Sequence, residues 1–180
     1  MEDLEMLIEQ INELIEERKF ATLGKILKDL NPADVAAIMD EVPEDELSLV
    51  FRILPKELAA EVFVEMQSDS QEFLISKFND KELKSMLDEL FMDDAVDIIE
   101  EMPASVAKRI LAQADAATRK VINQLLAYPD DSAGSIMTTE YISFSPSTTI
   151  GTAFDKIRRT GVNKETIYTC YVVDRKKHLV

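Results

Sequence analysis

The stretch LNPADVAAIMDEVP at residues 30–43 returns sixty residues later as LFMDDAVDIIEEMP at 90–103, without a gap. The two copies share Leu30/Leu90, Asp34/Asp94, Ile38/Ile98, Glu41/Glu101 and Pro43/Pro103, and a weaker third copy, LPKELAAEVFVEM, spans 54–66. Each copy carries apolar residues at helical spacing and is bounded by proline, so each reads as a short helix. A unit of that length cannot bury its own apolar face. Stacked copies can share one core, which points to a helical superhelix or solenoid, with a single closed bundle as the other packing open to it.

Working outward, the same period fills the rest of the first 130 residues. Leu4, Leu7, Ile8, Ile11, Leu14 and Ile15 form a stripe at spacings of three and four, with the glutamates outside it. Short helices are expected near 20–29, 32–42, 44–53, 55–66, 69–78, 80–90, 93–102, 104–113 and 115–127. Pro32, Pro43, Pro55 and Pro103 fall at or just before the starts, where a missing amide hydrogen costs little, and Asn31 and Ser68 are the expected caps.

After residue 130 the pattern changes. Three of the four glycines and the β-branched run Thr166 to Val173 lie there, and YPDDSAGS at 128–135 supplies the turn residues of a domain junction. A strand near 140–144, a helix from about Ser147 to Arg159, a strand near 167–173 and a turn at Asp174 to Lys177 follow. His178 to Val180 then opens another strand. Two exposed edges and one helix do not close a core, so residues 131–180 read as part of an α/β domain.

The charge divides at the same place. The 180 residues hold 20 basic and 35 acidic side chains, a net charge of −15. Residues 1–130 carry 13 basic and 30 acidic residues, whereas 131–180 carry 7 and 5, so the whole excess is on the helical part. Such a surface repels nucleic acid and favours divalent cations or basic partners. One cysteine and one histidine exclude an internal disulfide, four-cysteine metal sites and histidine triads. No Gly-rich phosphate loop or activated nucleophile is present, so no enzyme is expected. No apolar run reaches the length of a membrane span, and no secretion signal opens the chain.

The acidic repeats ending in LFMDDAVDIIEEMP, followed by YPDDSAGSIMTTEYISF and ETIYTCYVVD, resemble the cytosolic N-terminal region of the MgtE-type magnesium transporters and channels over essentially the whole chain. The resemblance implies a mainly α fold: a right-handed superhelix of short repeats at 1–130 and a truncated α/β CBS module at 131–180. It also implies a cytoplasmic region of a membrane protein whose second CBS module, connecting helix and transmembrane pore lie outside this chain. A homodimer in the full-length protein and Mg²⁺ as the ion sensed follow from it. In that family Mg²⁺ between the helical domain and the CBS modules neutralises facing acids and holds the pore shut.

In the helix expected at 93–102, Ala95, Ile98, Ile99 and Met102 make the apolar stripe, leaving Asp93, Asp97, Glu100 and Glu101 outside it. Asp93 and Asp97 are one turn apart, where like charges repel by a few tenths of a kcal/mol unless a cation intervenes. The residues themselves allow two readings: hard oxygen ligands suited to Mg²⁺, or a solvated face with Asp93 or Asp94 serving the helix dipole. By resemblance, Asp93, Asp97 and Glu61 fall on family acids that face magnesium. Gly134-Ser135 falls where main-chain oxygen approaches the ion, although Ser135 replaces a glycine often found there. With the complementary acids outside the chain, an affinity on the order of millimolar is expected. The dense acids Asp29, Asp34, Asp40, Glu41, Glu44, Asp45 and Glu46 read as a solvated face. Arg175 to Lys177 read as a solubilising turn, Cys170 as core and His178 as an incidental strand residue. Thr166 to Tyr168 lie where the adenine-nucleotide pocket of a complete CBS pair begins. A helical adaptor that docks a basic protein without an ion is the other functional reading.

Overall fold

A computed structural model of the chain describes residues 2–129 and 132–180. In chain order the helices are α1 (Glu2–Glu16), α2 (Phe20–Lys28), α3 (Pro32–Glu41), α4 (Glu44–Phe51), α5 (Lys56–Glu65), α6 (Ser68–Lys77), α7 (Asp80–Leu87), α8 (Met92–Glu101), α9 (Ala104–Gln113) and α10 (Ala116–Leu125). Strand β1 (Tyr141–Phe144), helix α11 (Ile150–Thr160) and strand β2 (Thr166–Val172) complete it. The fold is mainly helical with a small sheet, as the sequence pattern predicts.

The three repeat copies become three helices of ten residues, α3, α5 and α8, whose first and last positions match in the alignment. Their ends are set by proline. Val42, which precedes Pro43, is extended because the proline ring disfavours helical backbone before it, so α3 stops there. Pro43, Pro55 and Pro103 are the residues just outside α4, α5 and α9, and Pro32 is the first residue of α3, where Asn31 Oδ1 takes the Ala33 amide at 3.0 Å. Asn79 makes a reciprocal capping box with Glu82 at the start of α7.

Three expectations change. The cap of α6 is Gln67, and Ser68 is already helical, its hydroxyl bonded to Glu101; the Gln67 amide is taken by Asp40 at 3.2 Å. Asp40 therefore holds the residue that precedes α6, while Asp29, Asp34, Glu41, Glu44 and Asp45 are solvated as expected. The helices expected to run to 53 and 90 end at Phe51 and Leu87, since single turns closed by Ile53, Leu54 and Glu89 amides finish those segments.

Packing divides the described residues into two compact units. The first runs up to Leu90 and adds Asp97–Arg119; the second comprises Phe91–Val96 and Lys120–Val180. Within the first, α3 packs on α5, α5 on α7, α7 on α9 and α4 on α6, so most helices lean on one two places further along. This is how short amphipathic helices share a continuous core. Phe51, Phe63 and Phe78 meet at its centre with ring centroids 5.8 to 6.4 Å apart. Each such ring removed from water contributes roughly 2–3 kcal/mol. Two polar side chains, one buried and one half-buried, bind main-chain carbonyls of this unit. Gln71, 3% exposed, donates from Nε2 to the Phe63 carbonyl at 2.7 Å, and Arg109 donates to the Ile75 and Phe78 carbonyls at the end of α6.

In the second unit β1 and β2 are parallel and joined through α11, with Tyr141 opposite Thr166 and, after a register shift, Ile142 opposite Cys170. Thr149 caps α11, and Lys156 reaches the Ser143 carbonyl at 2.7 Å, tying the helix to the sheet. Only Ile142 of β1 is fully buried, and α11 buries no residue. Ile150, Phe154 and Tyr168 remain exposed. The third strand amounts to a single antiparallel bridge, Val173 to Leu179. Cys170, expected in the core, is half-buried, its thiol 3.7 Å from the Ile167 carbonyl. His178 Nδ1 meets Asp174 Oδ2 at 3.2 Å and so fixes the turn. Asp130 and Asp131 of the expected junction lie outside the described residues.

A candidate divalent-cation site at the start of α8

The first turn of α8 opens with Met92-Asp93-Asp94, three residues whose amides have no carbonyl partner within the helix. A protein carboxylate fills one of these vacancies. Glu140 Oε2, from the residue just before β1, accepts the Met92 amide at 2.8 Å, while the Glu140 amide is held by Thr138 Oγ1 at 3.1 Å. The positive end of the helix dipole favours an anion there.

Glu165, the residue just before β2, arrives at the same place. One carboxylate oxygen from each of Asp93, Asp94 and Glu165 lies within 4.8 Å of the others, and all three belong to the second unit. Partial desolvation, and then the charges of Asp93 and Glu140, hold the Glu165 carboxyl above the usual carboxylate range. Asp93 Oδ1 is shut away from solvent and accepts no hydrogen bond. A buried carboxylate oxygen without a donor is costly unless something positive meets it.

The donor set fits a hard divalent cation. Opposite oxygens in a magnesium shell are about 4.2 Å apart and in a calcium shell about 4.6–5.2 Å apart. Three ligands of one ion include at most one opposite pair, and neighbouring oxygens in a magnesium shell are about 3 Å apart, so oxygens within 4.8 Å of one another can share a divalent cation once drawn together or through a retained water.

Of the residues singled out in the sequence, Asp93 stands in this cluster and Asp97 and Glu61 do not. Asp97, one turn along α8, and Glu61 on α5 are exposed. Gly134 lies under the Tyr128 ring, which a side chain at that position would strike, and Ser135 turns its hydroxyl onto the Ser132 carbonyl at 2.9 Å. Glu140 and Glu165 were missed, yet a signal was present. Each directly precedes a strand, and two parallel neighbours with Tyr141 opposite Thr166 bring the preceding residues to one end of the sheet.

Comparison with known proteins places the chain. Residues 30–131 match the family model of the MgtE intracellular N domain, and residues 133–180 match that of the CBS domain. The chain is 31% identical over 179 residues to the magnesium transporter MgtE of Thermus thermophilus, covering 97% of this chain and 40% of that protein. It is 26% identical over 174 residues to the MgtE of Bacillus subtilis, covering 97% and 39%. It thus spans about two fifths of the length of these curated relatives. Among solved structures, the cytosolic domain of the Mg²⁺ channel MgtE in complex with ATP superposes with a TM-score of 0.85 at 30% identity, covering 96% of this chain and 71% of that one. The soluble part of a magnesium transporter gives the same TM-score at 24% identity, covering 98% and 70%, and supports the fold. With the N-domain model covering more than half of its residues and the CBS model following directly, the chain belongs to the MgtE family.

Proposed function

We propose that the chain is the cytosolic Mg²⁺-sensing and gating region of a homodimeric membrane magnesium transporter or channel. In this reading residues 1–130 form the acidic helical domain and 131–180 the first part of a CBS module. The observation that carries it is the meeting of Asp93, Asp94 and Glu165, with Asp93 Oδ1 buried and unbonded. Asp97 and Glu61 are further carboxylates for the same ion chemistry, supported by their exposure and by the family likeness.

Mg²⁺ would supply positive charge that lets the clustered carboxylates stay ionised and close together. The residues do the rest. Glu140 fixes the start of α8 through Met92, and that start presents Asp93 and Asp94 beside the strand-end Glu165. Two unit charges 4 Å apart repel by about 1 kcal/mol in water and about 4 kcal/mol near a protein surface, so an unscreened cluster pushes α8 away from the strand ends. Loss of the ion is thereby converted into a mechanical force, the element a gate requires.

The test is a Mg²⁺ titration at matched ionic strength, read as thermal stabilisation. The chain should gain stability at millimolar Mg²⁺, and Asp93→Ala combined with Asp97→Ala should abolish the gain. Identical responses of wild type and double variant would sink the assignment.

A further inference from the structure

We infer that Tyr128 and Gly134, in the segment YPDDSAGS, form a clasp that closes the corner between the end of α10 and the approach to β1. A methyl group on Gly134 would collide with three carbons of the Tyr128 ring, so the ring rests against the glycine α-carbon. Gly134 does not have a positive φ, so the position demands space and not backbone freedom. Hydrogen bonds hold the same corner. The Tyr128 amide donates to the Leu125 carbonyl at 3.0 Å and closes a turn just after α10. The Ser132 amide donates to the Pro129 carbonyl at 3.2 Å, and the Ser135 amide and hydroxyl both donate to the Ser132 carbonyl, at 3.2 and 2.9 Å. Tyr128 keeps 38% of its surface exposed, so its ring covers the corner from outside and is not part of the core. All these residues belong to the second unit.

The ring contact ties together two points six residues apart in the chain. Fully extended, six residues span up to about 20 Å. The clasp keeps that length gathered, and opening it would turn a fixed corner into a tether. In a region that relays motion, a closed corner passes a displacement of the end of α10 on to β1, whereas an open one absorbs it. That consequence rests on the gating reading above; the clasp itself stands on packing and needs no ion.

The experiment uses the whole chain without divalent ions, which separates its outcome from that of the Mg²⁺ titration. In wild type the α-protons of Gly134 should resonate upfield of their ordinary position, because an aromatic ring lies against them, and Tyr128→Leu should return them to it. Tyr128→Phe should keep the upfield shift, since ring carbons and not the hydroxyl make the contact. Amide exchange supplies the second readout. Protection of the Ser132 and Ser135 amides should fall about five- to tenfold in Tyr128→Leu and in Gly134→Ala, and stay at the wild-type level in Tyr128→Phe. Gly151→Ala is the control for the glycine change, because nothing lies within 4 Å of a methyl group there, and it should leave both readouts unaltered. Gly134 α-protons at their ordinary position in wild type, or Ser135 protection equal in wild type, Tyr128→Leu and Gly134→Ala, would overturn the clasp and leave the Mg²⁺ reading standing.

Discussion

Replacing Glu140 by alanine tests whether residues beyond the helical domain set the start of α8. The Glu140 carboxylate accepts the Met92 amide at 2.8 Å, a charge-assisted bond at a helix N-terminus. Such a bond contributes about 1.5–3 kcal/mol, and a charge at the dipole's positive end up to about 1 kcal/mol of that kind of stabilisation. Against it stands the repulsion between Glu140 and the acids beside it, about 1 kcal/mol at contact distance in water. Glu140→Ala should therefore cost about 1–2 kcal/mol locally, whereas Glu140→Gln, which keeps an acceptor and drops the charge, should cost less than about 1 kcal/mol. The assay is amide hydrogen exchange without divalent ions. Protection of Met92 should fall roughly five- to thirtyfold in Glu140→Ala and much less in Glu140→Gln. Equal protection of Met92 in all three proteins would refute the reasoning, because the hydrogen bond would then contribute nothing to the helix start.

Three further outcomes follow from the packing. Phe63→Ala should cost about 3–5 kcal/mol in urea unfolding of the first unit, since the ring is 2% exposed and meets Phe51 and Phe78, while Tyr168→Ala at 99% exposure should change stability by less than about 0.5 kcal/mol. Arg109→Ala should cost about 2–3 kcal/mol by freeing the Ile75 and Phe78 carbonyls, and Arg109→Lys should restore less than half, because an ammonium cannot span two carbonyls as a guanidinium does. The Thr118 and Ala117 amides at the start of α10 hold the Asp115 carboxylate below its usual range. A depressed carboxylate contributes stability above its unfolded pKa and loses it as pH falls through the lower folded value. Protection factors of the α10 amides, corrected for intrinsic exchange, should therefore fall below about pH 4 in wild type and show a flatter acid dependence in Asp115→Asn.

The helical half was legible because its information is local. The sixty-residue repeat, the prolines and the stripes at three and four residues all operate within windows that a sequence displays, and α3, α5 and α8 begin and end in register with it. Ser68 misled because Gln67 occupies the cap and its amide is taken by Asp40, 27 residues away, a contact no local window contains. The site was half legible for the same reason. Asp93 could be placed on the polar side of its helix, but the period does not say which side faces other carboxylates. Glu140 and Glu165 required pairing β1 with β2 in parallel and noticing that both glutamates precede a strand. Asp97 has the same spacing logic as Asp93, yet lies a full turn from the helix end where the strand heads arrive.

The Met92–Glu140 bond joins residues 48 apart, and its direction along the chain sets an order of events during synthesis. Arg109 bonds to carbonyls of residues already made when it emerges, and so does Gln71. Met92 must instead wait for Glu140, which at ribosomal speeds of about 5–20 residues per second arrives roughly 2–10 s later. During that interval the nascent helical repeats have most of their core but not the anchor for the start of α8, and Asp93 and Asp94 have no Glu165 beside them. A ribosome stalled between codons 92 and 140 would therefore display the repeats without the bond that anchors the start of α8.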